Sequence, residues 1–173
     1  ADIAIVDPYF IEGTTMEVIK NSAIDSCAQC SEAYDSKLGN PYTKFLCNTA
    51  FDILEYAILN DKFEKLALGS LLTGLGFGNS STTLGHALSY VYSNEGIAHG
   101  HALSFTTLVA HKFNNSIFYK RFESLVKKLS FKKISLNLDL NLASELILKD
   151  EKHLDNNPIP ITKNEIIDLL KEI

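Results

Sequence analysis

Apolar side chains recur every three or four positions through most of this chain, the period of a helix with one buried stripe. Over residues 14–34 the stripe is Met16, Ile19, Ala23, Cys27, Cys30 and Tyr34. Thr14 and Glu17 have the spacing of a capping box, in which hydroxyl and carboxylate satisfy reciprocal backbone donors, so a helix is expected to open there. Asn40-Pro41 opens a second, since proline at the first helical position removes a donor that would have no acceptor. Phe45, Leu46, Ile53, Tyr56 and Ala57 carry it towards Asn60, and Asp61 with Glu64 predicts a third start. Further helices are expected over residues 81–93, 100–114, 116–129 and 143–148, and a last one capped by Thr162 and Glu165. Two stretches alternate instead. Residues 1–10 read as a short strand stopped by Asp7-Pro8, and Leu136, Leu138, Leu140 and Leu142 keep a strand period that runs into a helical pattern. The pattern as a whole predicts an all-α helical bundle with one short N-terminal strand, and a lone strand has no sheet to join.

Composition narrows what such a bundle does. The chain has 173 residues and a net charge of -5, from 16 Lys and Arg against 21 Asp and Glu. That balance argues against nucleic acid or an anionic membrane as partner. No apolar run reaches the roughly 18 residues of a membrane span, and the N-terminus lacks a signal-peptide layout, so a cytoplasmic protein is expected. Cys27 and Cys30 have CxxC spacing, but they lie on the apolar stripe and no second pair accompanies them. They read as small core residues, and with Cys47 the three cannot all pair within one chain. Gly69, Gly74, Gly76 and Gly78 lie on a helical pattern with no strand before them and no P-loop lysine after them, which points to close helix packing. Lys120, Arg121, Lys127, Lys128, Lys132 and Lys133 read as a solvated basic face.

The candidate chemistry lies where three of the five histidines fall within sixteen positions: His86, His99 and His101, among small and apolar neighbours. His86 sits on a helical pattern, and His99 follows the breaker Asn94-Glu95-Gly96 at the mouth of the next helix. A helix, a turn and a helix bring two imidazoles towards one point. Asp25, Gln29 and Glu32 share a face of the first helix, opposite its cysteines. Taken alone, that face is solvated. Added to His86 and His99, Asp25 completes one carboxylate and two imidazoles from three helices, the donor set of an open transition-metal site.

The run Ala23-Ile24-Asp25-Ser26-Cys27-Ala28-Gln29-Cys30-Ser31-Glu32-Ala33-Tyr34, then Gly85-His86-Ala87-Leu88-Ser89, then His99-Gly100, with Asp155-Asn156-Asn157-Pro158 before a last helix, resembles the C-terminal helical domain of the iron-containing (group III) alcohol dehydrogenases. The opening residues 1–8 resemble it too, so the likeness covers essentially the whole chain. It implies the dehydroquinate synthase-like fold, with Asp25, His86 and His99 at metal-binding positions. Where the family usually has histidine this sequence has Gln29, and often a second histidine stands where it has Tyr90. Iron(II) and zinc(II) therefore both stay open, with Gln29 a weak fourth ligand or an orienting donor. Gln29 with Tyr90 and residues 99–102 looks most like a branch containing phosphonoacetaldehyde reductases. The resemblance further implies a small alcohol or aldehyde substrate, NAD(P) bound by an N-terminal domain absent from this chain, and room for a homodimer. Tyr90 and His101 become candidates for proton relay or substrate orientation, while His111 and His153 receive no role. The rival readings are a dehydroquinate synthase-like lyase domain and a helical interaction module that binds no metal.

Overall fold

The computed structural model describes residues 3–173, which form nine α-helices: α1 (Met16–Asp35), α2 (Pro41–Leu59), α3 (Phe63–Phe77), α4 (Leu84–Ser93), α5 (His99–Phe113), α6 (Tyr119–Leu129), α7 (Leu140–Ile147), α8 (Glu151–Asn156) and α9 (Lys163–Glu172). The all-α expectation holds. Among the described residues the N-terminal strand does not form. Residues 1 and 2 lie outside the described residues, no strand is present among those described, and Pro8–Ile11 is a 3-10 turn capped by the Asp7 side chain. Alternation builds a strand only where a neighbouring strand takes up its hydrogen bonds, and none is present among the described residues. Ile3, Ile5 and Val6 are consequently exposed.

Two further boundaries move for local reasons. The cap of α1 is Thr15, whose hydroxyl accepts from the Val18 amide, and no box forms between Thr14 and Glu17. Helix α3 starts after Lys62 with no side-chain cap, because Asp61 sits in the left-handed region at φ 53°. The alternating leucines split. Leu136 and Leu138 pack from an extended segment held by Glu95, which accepts from the Asn137 and Leu138 amides, whereas Leu140 and Leu142 belong to α7, capped by Asp139. The reciprocal caps at Asn40 with Thr43 and at Thr162 with Glu165 both form.

The apolar interior has two parts. One joins α1, α2, α3 and α6, with Ile24, Cys27, Phe51, Leu54 and Phe122 at its centre. The other joins α4, α5, α7 and α9 around Leu84, Leu88, Ala102, Ile147 and Ile166. All three cysteines are free and buried in the first part. Two of the four glycines act as their spacing suggested, since a Cβ on Gly76 would stand 2.6 Å from Cys47 Sγ and one on Gly69 would stand 2.7 Å from Leu54, whereas Gly74 has nothing within 4 Å and Gly78 meets only the Gly74 backbone. Helix α1 touches both parts and lies at the seam.

A buried polar cluster also occupies that seam. The His111 Nε2 pairs with the Ser31 hydroxyl at 2.8 Å, and Nδ1 lies 3.9 Å from Asp35 Oδ2, which has no hydrogen-bond partner. Burial pushes the Asp35 carboxyl up to about 6 and holds the His111 imidazole down to about 4, so the two are neutral together between those values. A carboxyl whose folded pKa is raised contributes most below its unfolded value and loses that contribution as pH rises through about 6. Asp35→Asn is therefore expected to be more stable than the parent at pH 8 by about 2 kcal/mol, and by little at pH 4. Urea titrations at the two pH values check this, and a difference independent of pH would refute the assignment.

Candidate metal centre

The centre is built where α1, α4 and α5 meet, and each contributes one donor. The starting point is the N-terminus of α4. A helix opens with amides that have no intrahelical acceptor, and Thr83 supplies no side-chain cap. The acceptor comes from α1 instead. The Glu32 carboxylate accepts from the Gly85 amide at 2.5 Å and from the Thr83 amide at 3.3 Å, and Asn157 Oδ1 accepts from Leu84 at 3.4 Å. An anion at a helix N-terminus is also favoured by the helix dipole.

The same carboxylate fixes the histidine that follows. Glu32 Oε2 lies 2.5 Å from His86 Nδ1, so the opposite ring nitrogen, Nε2, is directed to Asp25, 3.6 Å from Oδ1. Glu32 is 1% exposed, so the part of the Asp25 face that reads as solvated in sequence is in fact the wall of an internal site. Burial opposes the charge on Glu32, but the His86 imidazole beside it outweighs that and holds its carboxyl below the ordinary range. Burial also opposes the charge on His86, and Glu32 and Asp25 more than offset it, raising the imidazole.

His99 is the first residue of α5 and faces His86 edge-on, with ring centroids 5.5 Å apart. Asp25, His86 and His99 each offer a ligand atom, and these atoms lie within 4.8 Å of one another. Two ligands at 2.1 Å from a tetrahedral ion stand about 3.4 Å apart, so small side-chain shifts close the site. Asp25 Oδ1 and His86 Nε2 are both buried without a hydrogen-bond partner. Buried polar atoms are nearly always paired, and two orphans facing each other fit a divalent ion between them. The Asp25 side chain remains 27% exposed, which leaves the site open on one side.

The other sequence-stated candidates fall differently. Gln29 stands one turn after Asp25 on α1 and is half-buried. Tyr90 lies along the site, its ring parallel to that of His99 at 5.8 Å. His101 does not join them. It is about 200° around α5 from His99, and its Nε2 donates to the Lys132 carbonyl at 2.6 Å beside Phe131. Two residues that sequence reasoning left without a part of the site belong to it. Glu32 was visible only as a third member of the Asp25 face, and His153 only through its i, i+3 spacing from Asp150. His153 is 8% exposed, stacks on His86 at 6.2 Å and lies 5.9 Å from Tyr90.

Comparison with known proteins gives the same direction. Residues 19–147 match the Fe-containing alcohol dehydrogenase family, C-terminal. The chain is 31% identical over 113 residues to 4-hydroxybutyrate dehydrogenase of Clostridium kluyveri, a match covering 59% of this chain and 30% of that protein. Its fold is similar to an iron-containing alcohol dehydrogenase from Thermococcus thioreducens, with a TM-score of 0.87 and 20% identity, covering 98% of this chain and 53% of that one. It is likewise similar to sulfoacetaldehyde reductase from Bifidobacterium kashiwanohense in complex with NAD+, with a TM-score of 0.83 and 20% identity, covering 96% and 52%. The chain thus spans about half the length of these solved structures and 30% of the curated relative.

Proposed function

We propose, since the chain belongs to the Fe-containing alcohol dehydrogenase family, that Asp25, His86 and His99 hold an iron(II) ion, and that the domain is the metal-binding half of an NAD(P)-dependent alcohol dehydrogenase or aldehyde reductase. The observation that carries this reading is the pair of buried, partnerless atoms on Asp25 and His86 that converge with His99. When bound, the ion supplies Lewis-acid stabilisation of charge on the substrate oxygen during hydride transfer. The chain's own residues do the rest. Glu32 holds the His86 ring with Nε2 turned into the site, Tyr90 and His153 wall it, and the exposed side of Asp25 admits a small alcohol or aldehyde. The dinucleotide is assigned to an N-terminal α/β domain outside this chain. The half-length match to a relative solved with NAD+ supports that division.

Elemental analysis of chain purified anaerobically without a histidine tag is expected to give one iron per chain. Zinc in its place would change the ion and leave the site. Failure of the chain to compete with a chelating dye for either ion would overturn the reading.

Gln29 is the tuning position in this scheme. A neutral amide oxygen is a weaker donor than imidazole, and Gln29 lies on the Asp25 face, so Gln29→His is expected to tighten iron(II) binding without changing helix register. If Gln29 instead orients Asp25, the same replacement weakens binding by roughly 10–100-fold. Competition against a chelating dye separates the two.

A further inference from the structure

The geometry points to His153, held by Asp150, as the proton acceptor and donor for the substrate hydroxyl at this site. The inference rests on the metal-centre reading above and adds a catalytic residue to it. His153 Nδ1 lies 2.7 Å from both Asp150 carboxylate oxygens, and the Asp150 side chain also accepts from the His153 amide at 3.4 Å. With Nδ1–H committed to a carboxylate, the ring is fixed and the neutral imidazole keeps its lone pair on Nε2. The ring then packs against one of the three donors and one wall of the site, stacked on His86 and tilted against Tyr90.

His153 is not placed as another ligand. The lone pairs of two imidazoles that share an ion lie in their ring planes and converge at their edges, whereas His86 and His153 lie face to face with planes only 16° apart. His153 also stands outside the group of ligand atoms that lie within 4.8 Å of one another. An acid–base group beside a metal site, one step beyond the ligands, has this position. The alternatives serve less well. The imidazole of His101 is committed to the Lys132 carbonyl, and the phenol of Tyr90 is a poor proton acceptor near neutrality, with an ordinary value of about 10.

In alcohol oxidation the O–H bond breaks and its proton passes to His153 Nε2. The bonding pair left on oxygen becomes the second bond of the carbonyl, as the C–H bond breaks and hydride leaves with its pair to the nicotinamide dinucleotide. The imidazolium, neutralised by Asp150, then returns the proton to water. Aldehyde reduction runs the same transfers backwards.

The test uses both this chain and the intact enzyme that contains it. Iron(II) affinity, measured by dye competition on the chain, is expected to stay within about threefold in His153→Gln, while kcat of the iron-loaded enzyme falls by about 100-fold or more with little change in KM. In His153→Gly, added imidazole is expected to restore part of kcat, which a merely structural role would not allow. An unchanged kcat in His153→Gln overturns the proposal, and so does a kcat loss that follows a lost metal, since His153 would then be a ligand or a support. If the parent chain binds no metal at all, the metal-centre reading fails and this one fails with it.

Discussion

His86→Ala is expected to lower the chain's affinity for iron(II) by more than 100-fold, beyond the roughly 10–100-fold that orienting partners of a ligand carry. The argument is geometric first. The centre offers two imidazoles and one carboxylate, and removing His86 leaves Asp25 and His99 without the donor that sits between α1 and α5. A second consequence concerns the fold. Glu32 is 1% exposed and its carboxylate faces the His86 imidazole. Removing one partner of a buried charged pair leaves the other uncompensated and typically costs about 3–5 kcal/mol. The amides of Gly85 and Thr83 still bind Glu32 and bring the expected loss to the lower end of that range. Glu32 has its carboxyl held below the ordinary value of 4.5, so its contribution is present above that value and lost as pH falls through the lower folded one. The stability gap between parent and His86→Ala should accordingly be wide at pH 6 and narrow under acid. Chelator competition and chemical denaturation measure the two effects separately. Tight iron binding by a folded His86→Ala chain would exclude His86 from the site.

Gly100→Ala is expected to cost about 3 kcal/mol or more in stability and to disturb the metal site with it. Gly100 follows His99 on α5. A Cβ there would fall against the Asn21 carbonyl oxygen, 2.6 Å from its carbon and 2.8 Å from the Asn21 Cα. These are backbone atoms of α1, which cannot swing aside as a side-chain tip can, so α5 would have to move off α1. Gly85 plays the matching part on α4, where a Cβ would meet Glu32 Oε1 at 2.5 Å and the Thr107 Cα of α5 at 2.8 Å. The two glycines are the places where α1, α4 and α5 approach closely enough for their donors to meet. Thermal unfolding of Gly100→Ala tests the stability loss, and Gly96→Ala serves as a poor control because Gly96 holds φ at 92°. Gly74→Ala is the better one, since nothing lies within 4 Å of the added carbon. If Gly100→Ala matches Gly74→Ala in stability, the close approach of α5 to α1 is not what places His99.

What could be read directly from the chain was whatever is settled within a few residues. Helical periodicity placed eight of the nine helices near their observed positions, Pro41 opened its helix, and the cap at Thr162 formed as its spacing required. The burial of Cys27 and Cys30 followed from the apolar stripe, and the packing role of Gly69 and Gly76 from the small residues of α3. Asp25, His86 and His99 were legible as a set, because a carboxylate on one helix and histidines on either side of a turn are local patterns that a known family also carries. Tertiary structure decided what no local pattern contains. The cap of α4 comes from Glu32, more than fifty positions earlier, and only folding shows that this carboxylate both starts the helix and aims His86. Helix periodicity turns His101 away to the Lys132 carbonyl, while chain return through α8 brings His153 to the wall of the site. Residues 3–7 have strand alternation without a strand, because β structure is a property of two segments and one segment cannot supply it.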